Sequence, residues 1–72
     1  MSEVKRIKNK TVAIASRYYS HLSVLRAADV IYSSCEDIAH EVEQIVGKTY
    51  EQDSGDAACK LIARWIRADR KI

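Results

Sequence analysis

Seventy-two residues with a net charge of +2 make one domain at most, too small to enclose a water-excluding catalytic pocket of its own. No apolar run approaches the roughly 18 residues of a membrane span, and two cysteines, Cys35 and Cys59, make no disulfide framework. Proline is absent and the only glycines are Gly47 and Gly55, so with 47% apolar residues the composition predicts long helices.

The charge is unevenly spread. Residues 1–34 carry six basic and two acidic side chains, residues 35–56 one basic and seven acidic, and residues 57–72 five basic and one acidic. This basic–acidic–basic order suits a fold in which the acidic middle lies beside a basic end. With no signal segment ahead of Val12, the expected compartment is a reducing cytoplasm. A core this small is marginal for one chain, so self-association is the expected extra source of stability.

Met1 to Lys10 hold Lys5, Arg6, Lys8 and Lys10 with only Val4 and Ile7 as apolar anchors, a basic arm or the start of the first helix. From there Val4, Ile7, Thr11, Ile14, Tyr18, Leu25, Ala28 and Tyr32 follow an approximate 3-4 spacing, interrupted at His21. The spacing predicts one helix over residues 3–32, with room for a kink near Ser20–Ser23. Val12-Ile14 and Tyr18-Tyr19 also have β character, and the rival reading breaks the helix at Ser20.

Ser33-Ser34-Cys35-Glu36-Asp37 reads as the start of a second helix over 35–46, with Ser34 as its cap and acids in its first turn. The alternative is an unbroken helix, since Cys35, Ile38, Val42 and Ile45 carry the apolar stripe onward. Gly47 then takes the position of a left-handed C-cap, and residues 47–53 form a polar loop around Tyr50. Asp53 or Ser54 caps a last helix over 55–71, with Asp56 in its first turn. This helix has two faces: Ala58, Leu61, Ile62, Trp65, Ile66 and Ile72 recur at helical spacing, while Lys60, Arg64, Arg67 and Lys71 fall on nearly the opposite side. The expected fold is all-α, a helical hairpin or three-helix arrangement with a long N-terminal helix. Such a helix packed on a shorter one leaves part of its apolar stripe bare, which a second copy would cover to build a bundle.

Signals for chemistry are weak. Gly47-Lys48-Thr49 is the tail of a phosphate-binding loop, but Val42 stands where the pattern needs its first glycine and no strand precedes it. His21, His40, Cys35 and Cys59 contain no Cys-x-x-Cys or His-x-x-x-His pair, so no metal site is expected. Glu36 and His40 lie one turn apart, as suits an ordinary surface pair. Cys35 with His40 lacks a third group to orient the base, so no catalytic residue and no cofactor are assigned, and the chain is not expected to be an enzyme.

What remains is binding. Tyrosine, arginine and tryptophan dominate protein–protein hot spots, which singles out Tyr19, Arg64, Trp65 and Arg67 for contact with a partner protein. Tyr18 and Tyr19 cannot both face one stripe, so one of them should be exposed. The first reading is therefore a self-associating helical interaction module that covers a site on another protein, as an accessory or inhibitor. The alternative is a small dimeric nucleic-acid-binding regulator using Lys5, Arg6, Lys8, Lys10, Lys60, Arg64, Arg67 and Lys71. A helix-turn-helix is not expected, because the loop after Gly47 is too long. Weaker readings are a basic amphipathic helix on an anionic membrane surface and a small anionic ligand held between subunits. In size, helical pattern and lack of catalytic apparatus the chain resembles small accessory proteins of phages and mobile elements that bind a host factor. No motif carries that likeness.

Overall fold

In α1 (Glu3–Tyr18), Ile7, Thr11 and Ala15 follow one another at four-residue steps and turn one edge of the helix inward. This computed structural model describes residues 3–49 and 54–70, of which about nine-tenths are helical, with no strand among them. Thr11 is fully buried, and its hydroxyl donates to the Ile7 carbonyl at 2.7 Å. Its polar atom is therefore satisfied within its own helix.

The helix expected over 3–32 is two helices. α1 closes with Tyr19 N–H on the Ala15 carbonyl at 2.9 Å, and Leu22 N–H then turns back to the Tyr19 carbonyl at 3.1 Å. Ser23 takes an extended backbone (φ −63°, ψ 158°), and its hydroxyl accepts the Arg26 N–H at 3.3 Å. That is an N-cap, and it starts α2 (Val24–Ser34). The break resets the helical phase. Ala27, Ala28 and Ile31 turn inward in α2, while Tyr18 and Leu25, on the expected apolar stripe, are 60% and 66% exposed. Because α1 ends at Tyr18 and α2 restarts at Val24 after the extended Ser23, the spacing has no physical continuity across residues 19–23.

Cys35 alone separates α2 from α3 (Glu36–Thr49). Its N–H bonds to the Ile31 carbonyl at 2.8 Å and its own carbonyl accepts Ala39 N–H at 2.9 Å. Cys35, rather than Ser34, thus ends one helix and begins the next, with Glu36 and Asp37 in the new first turn. Ile38, Val42 and Val46 line its buried side. Gly47 does not end this helix. It lies inside α3, no glycine among the described residues has positive φ, and the left-handed cap expected there is absent. The expected loop around Tyr50 and the Asp53 cap lie outside the described residues, as do Lys71 and Ile72.

α4 (Ser54–Arg70) is the element the rest gather on, packing most extensively against α2, then α3 and α1. Ala58, Ile62, Ala63, Trp65 and Ile66 of α4 meet Ile7, Ile31, Ile38 and Val42 in one core. Polar contacts tie the helices from outside. Arg6 of α1 pairs with Glu41 of α3 at 2.7 Å, and the Tyr32 hydroxyl of α2 donates to Glu43 of α3 at 2.8 Å. Arg70 spans the α1–α2 loop: Nη1 donates to the Leu22 carbonyl and Nη2 to the Tyr19 carbonyl, both at 2.7 Å.

The radius of gyration is 11.2 Å, close to the roughly 11 Å expected of a compact chain this long. Because the first arm folds back on itself, the chain covers its own stripe. Among the described residues the large apolar side chains left exposed are Val4, Tyr18 and Leu25. Among the described residues, then, no continuous apolar stripe of α1 and α2 is left bare.

Candidate functional site

The basic stripe of α4 keeps the place its spacing predicts. Lys60, Arg64 and Arg67 are exposed on the side opposite Ile62 and Trp65. Lys60 Nζ lies 3.0 Å from Asp56 Oδ2 one turn earlier, an exposed pair worth little to stability but enough to offset part of its charge. No ion pair among the described residues engages Arg64 or Arg67. Across from them stands Leu25, in the first turn of α2. These four side chains, with Ala63 and Ala68, line a shallow groove of about 440 Å³ between the two helices. The two alanines leave the room, Ala63 as a buried floor and Ala68 at the outer edge.

Other residues expected at a partner surface are elsewhere. Trp65 is only 7% exposed and belongs to the core, so it is removed from the contact set: the apolar stripe on which it is centred faces inward. Tyr19 is half-buried against the core, with its ring centroid 6.5 Å from that of Tyr18 and the planes tilted by 59°. The exposed member of the pair is Tyr18, because Tyr19 has already left the helix and turned inward with the loop.

The described residues expected to track phosphates stand in different surroundings. Arg6 is held by Glu41, and Lys10 lines a separate groove of about 480 Å³ that also contains Glu36 and Asp37. This side of α1 therefore faces the acidic helix, as the charge order suggested. Lys5 and Lys8 are exposed on α1, whereas Lys60, Arg64 and Arg67 gather beside α2. The start of α3 is no anion site, since its own Glu36 and Asp37 already occupy the first turn.

Cysteines and histidines do not converge. Among the described residues no three His, Cys, Asp or Glu side chains come together. His40 Nε2 lies 3.2 Å from Gln44 Nε2, a different neighbour from the Glu36 expected. Burial pushes the Cys59 thiol above its ordinary pKa, and the nearby Asp29 and Asp56 carboxylates add to the shift, so its nucleophilic thiolate is disfavoured.

Leu25, like Tyr18, lies outside the stripe its spacing predicts. The signal for it was Ser23. A serine cap there starts the helix at Val24, and with Ala27, Ala28 and Ile31 inward, Leu25 falls well to the side of the buried arc. Among the described residues no helix is long and apolar enough to cross a membrane. Comparison with protein-family models, with curated proteins and with solved structures finds no match.

Proposed function

We propose that this chain is a protein–protein interaction module, an accessory or inhibitor protein that covers a site on a partner through the groove between α2 and α4. Leu25 supplies the apolar contact, and Arg64 and Arg67 supply charge and orientation. The observation that carries the reading is Leu25 itself, 66% exposed between two helices and beside two arginines that no carboxylate among the described residues engages. A leucine costs solubility in that place, and arginine beside an apolar contact is the usual composition of an interface core and its rim.

A second copy is disfavoured as the occupant of this groove. A two-fold axis through Leu25 would set Arg64 and Arg67 of one protomer against those of the other, and like charges across an interface are costly. The occupant we propose is therefore a different protein rather than a two-fold mate. Crosslinked pull-down from the source cells with the wild-type chain and with Arg64→Glu/Arg67→Glu tests this. A protein retained by the first and lost with the second supports the reading, and equal capture by both counts against it.

Nucleic acid is the second reading, and the exposed helical run of Lys60, Arg64 and Arg67 favours it. It makes no use of Leu25. A gel shift with random duplex DNA at low salt decides. Binding that falls steeply with added salt and ignores Leu25→Ser would replace the protein partner with a phosphate backbone.

A further inference from the structure

We infer that the groove between α2 and α4 takes an acidic amphipathic helix of its partner, with a bulky apolar side chain seated on Leu25 and carboxylates one turn apart on Arg64 and Arg67. This rests on the proposed interaction function and names the chemistry of the partner.

Three features of the groove select that occupant. The groove runs along α4 and is bounded on the far side by Leu25 in the first turn of α2, so an amphipathic helix can lay its apolar face there. The floor is small and apolar: Ala63 is buried, Ala68 stands at the edge, and Leu25 forms the opposite wall. A large side chain fits there better than a second small one. The rim charge is polarised along α4. Lys60 is already paired with Asp56 at 3.0 Å, and Asp29 lies close enough to α4 to act on the Cys59 thiol. The uncompensated positive charge is therefore at the Arg64–Arg67 end. Residues three apart on a helix are neighbours, with Cβ atoms roughly 5–6 Å apart. Glutamates or aspartates at i and i+3 or i+4 of the incoming helix match that interval, and arginine's planar fork suits a carboxylate in two-point contact.

Other grooves do not offer this. The one at the α2–α3 junction mixes Lys10 with Glu36 and Asp37. The one beside Glu3 and Ile45 has its arginine, Arg6, already bound to Glu41.

The test is selection of a random-sequence peptide display library on the full chain, followed by fluorescence anisotropy of the enriched peptides. Expected are peptides pairing a bulky apolar residue with acids three or four positions apart. Leu25→Ser and Arg64→Glu/Arg67→Glu should each weaken binding by about tenfold or more. Arg17→Glu/Arg26→Glu, equal in charge change and outside the groove, should leave it within about twofold. Lysines in place of the peptide's acids should restore binding to Arg64→Glu/Arg67→Glu. Circular dichroism of each variant excludes loss of fold as the cause. Enriched peptides without acids, whose binding still depends on the groove variants, would overturn this inference while leaving the interaction function standing. Binding indifferent to the groove variants would overturn both. A library that yields no binder to any face overturns both. Self-association abolished by Leu25→Ser would make a second copy the occupant instead.

Discussion

Gly47 shows how a residue's usual meaning is set aside by its neighbours. Glycine after an apolar stripe ordinarily marks a helix end, but α3 continues through it to Thr49, and a Cβ built at Gly47 meets nothing within 4 Å. Its backbone is helical, so glycine here only adds freedom to the unfolded chain. Gly47→Ala should stabilise the fold by about 0.5–1 kcal/mol, read as a higher urea midpoint with an unchanged slope; a loss of stability would mean that the position needs its freedom. Cys59 gives a second expectation at this scale. Burial first, and then Asp29 and Asp56, raise its folded pKa. As pH rises the unfolded thiol therefore loses its proton before the folded one, so stability is greatest where both are protonated and declines as pH climbs from the unfolded value to the folded one. In a Cys35→Ser background, iodoacetamide labelling of Cys59 in the folded chain should begin at a higher pH than in urea. Asp29→Asn should bring it only part of the way back, since burial is the larger cause. Coincident profiles would refute the account.

Between α1 and α2 the chain depends on one cap and one clamp. Ser23 caps α2 from within the loop, and Arg70 reaches from the last turn of α4 to hold the Tyr19 and Leu22 carbonyls. A short loop leaves carbonyls with no helical partner, and a guanidinium with two aligned donors serves both at once. Arg70→Met keeps the apolar stem but no donor, and should cost about 1–2 kcal/mol, below the full range for charge-assisted bonds because the side chain is half-exposed. Arg70→Lys should recover only part of that, since one ammonium does not match two carbonyls as a fork does. Chemical denaturation of the three proteins measures it, and equal stability would mean that the clamp carries no energy. This element also shows what the sequence could disclose. The two faces of α4 were legible because seventeen residues hold one phase, with Ala58, Ile62, Trp65 and Ile66 inward and Lys60, Arg64 and Arg67 outward. The break at residues 19–23 is legible only as the rival reading, a break at Ser20 or a kink near Ser20–Ser23. Its serine cap lacks the acidic third residue that usually announces one, Arg26 standing there instead, and its clamp comes from 48 residues further along the chain. Phase errors follow from preferring the unbroken helix, which puts Leu25 and Tyr18 on the inward stripe and hides the groove.

At the scale of the molecule, folding the first arm in two changes what the surface offers a second copy. A continuous helix from 3 to 32 would have carried a bare stripe nearly 45 Å long. Instead, Ile7, Ile31, Ile38 and Val42 reach α4 from three sides, and the opposite charges of α1 and α3 meet within one chain at Arg6 and Glu41. The large apolar side chains left outside among the described residues are separate points. Val4 and Tyr18 stand near opposite ends of α1, about 21 Å apart by helical rise, and Leu25 lies among cations. Neither arrangement makes the broad apolar patch that a stable homodimer buries. Sedimentation velocity at micromolar concentration should therefore give a species of one chain's mass, unchanged when salt is raised. A dimer would mean that residues outside those described, or the groove itself, supply an interface. Repeating the run with Leu25→Ser separates the two, because only a dimer built on the groove would dissociate.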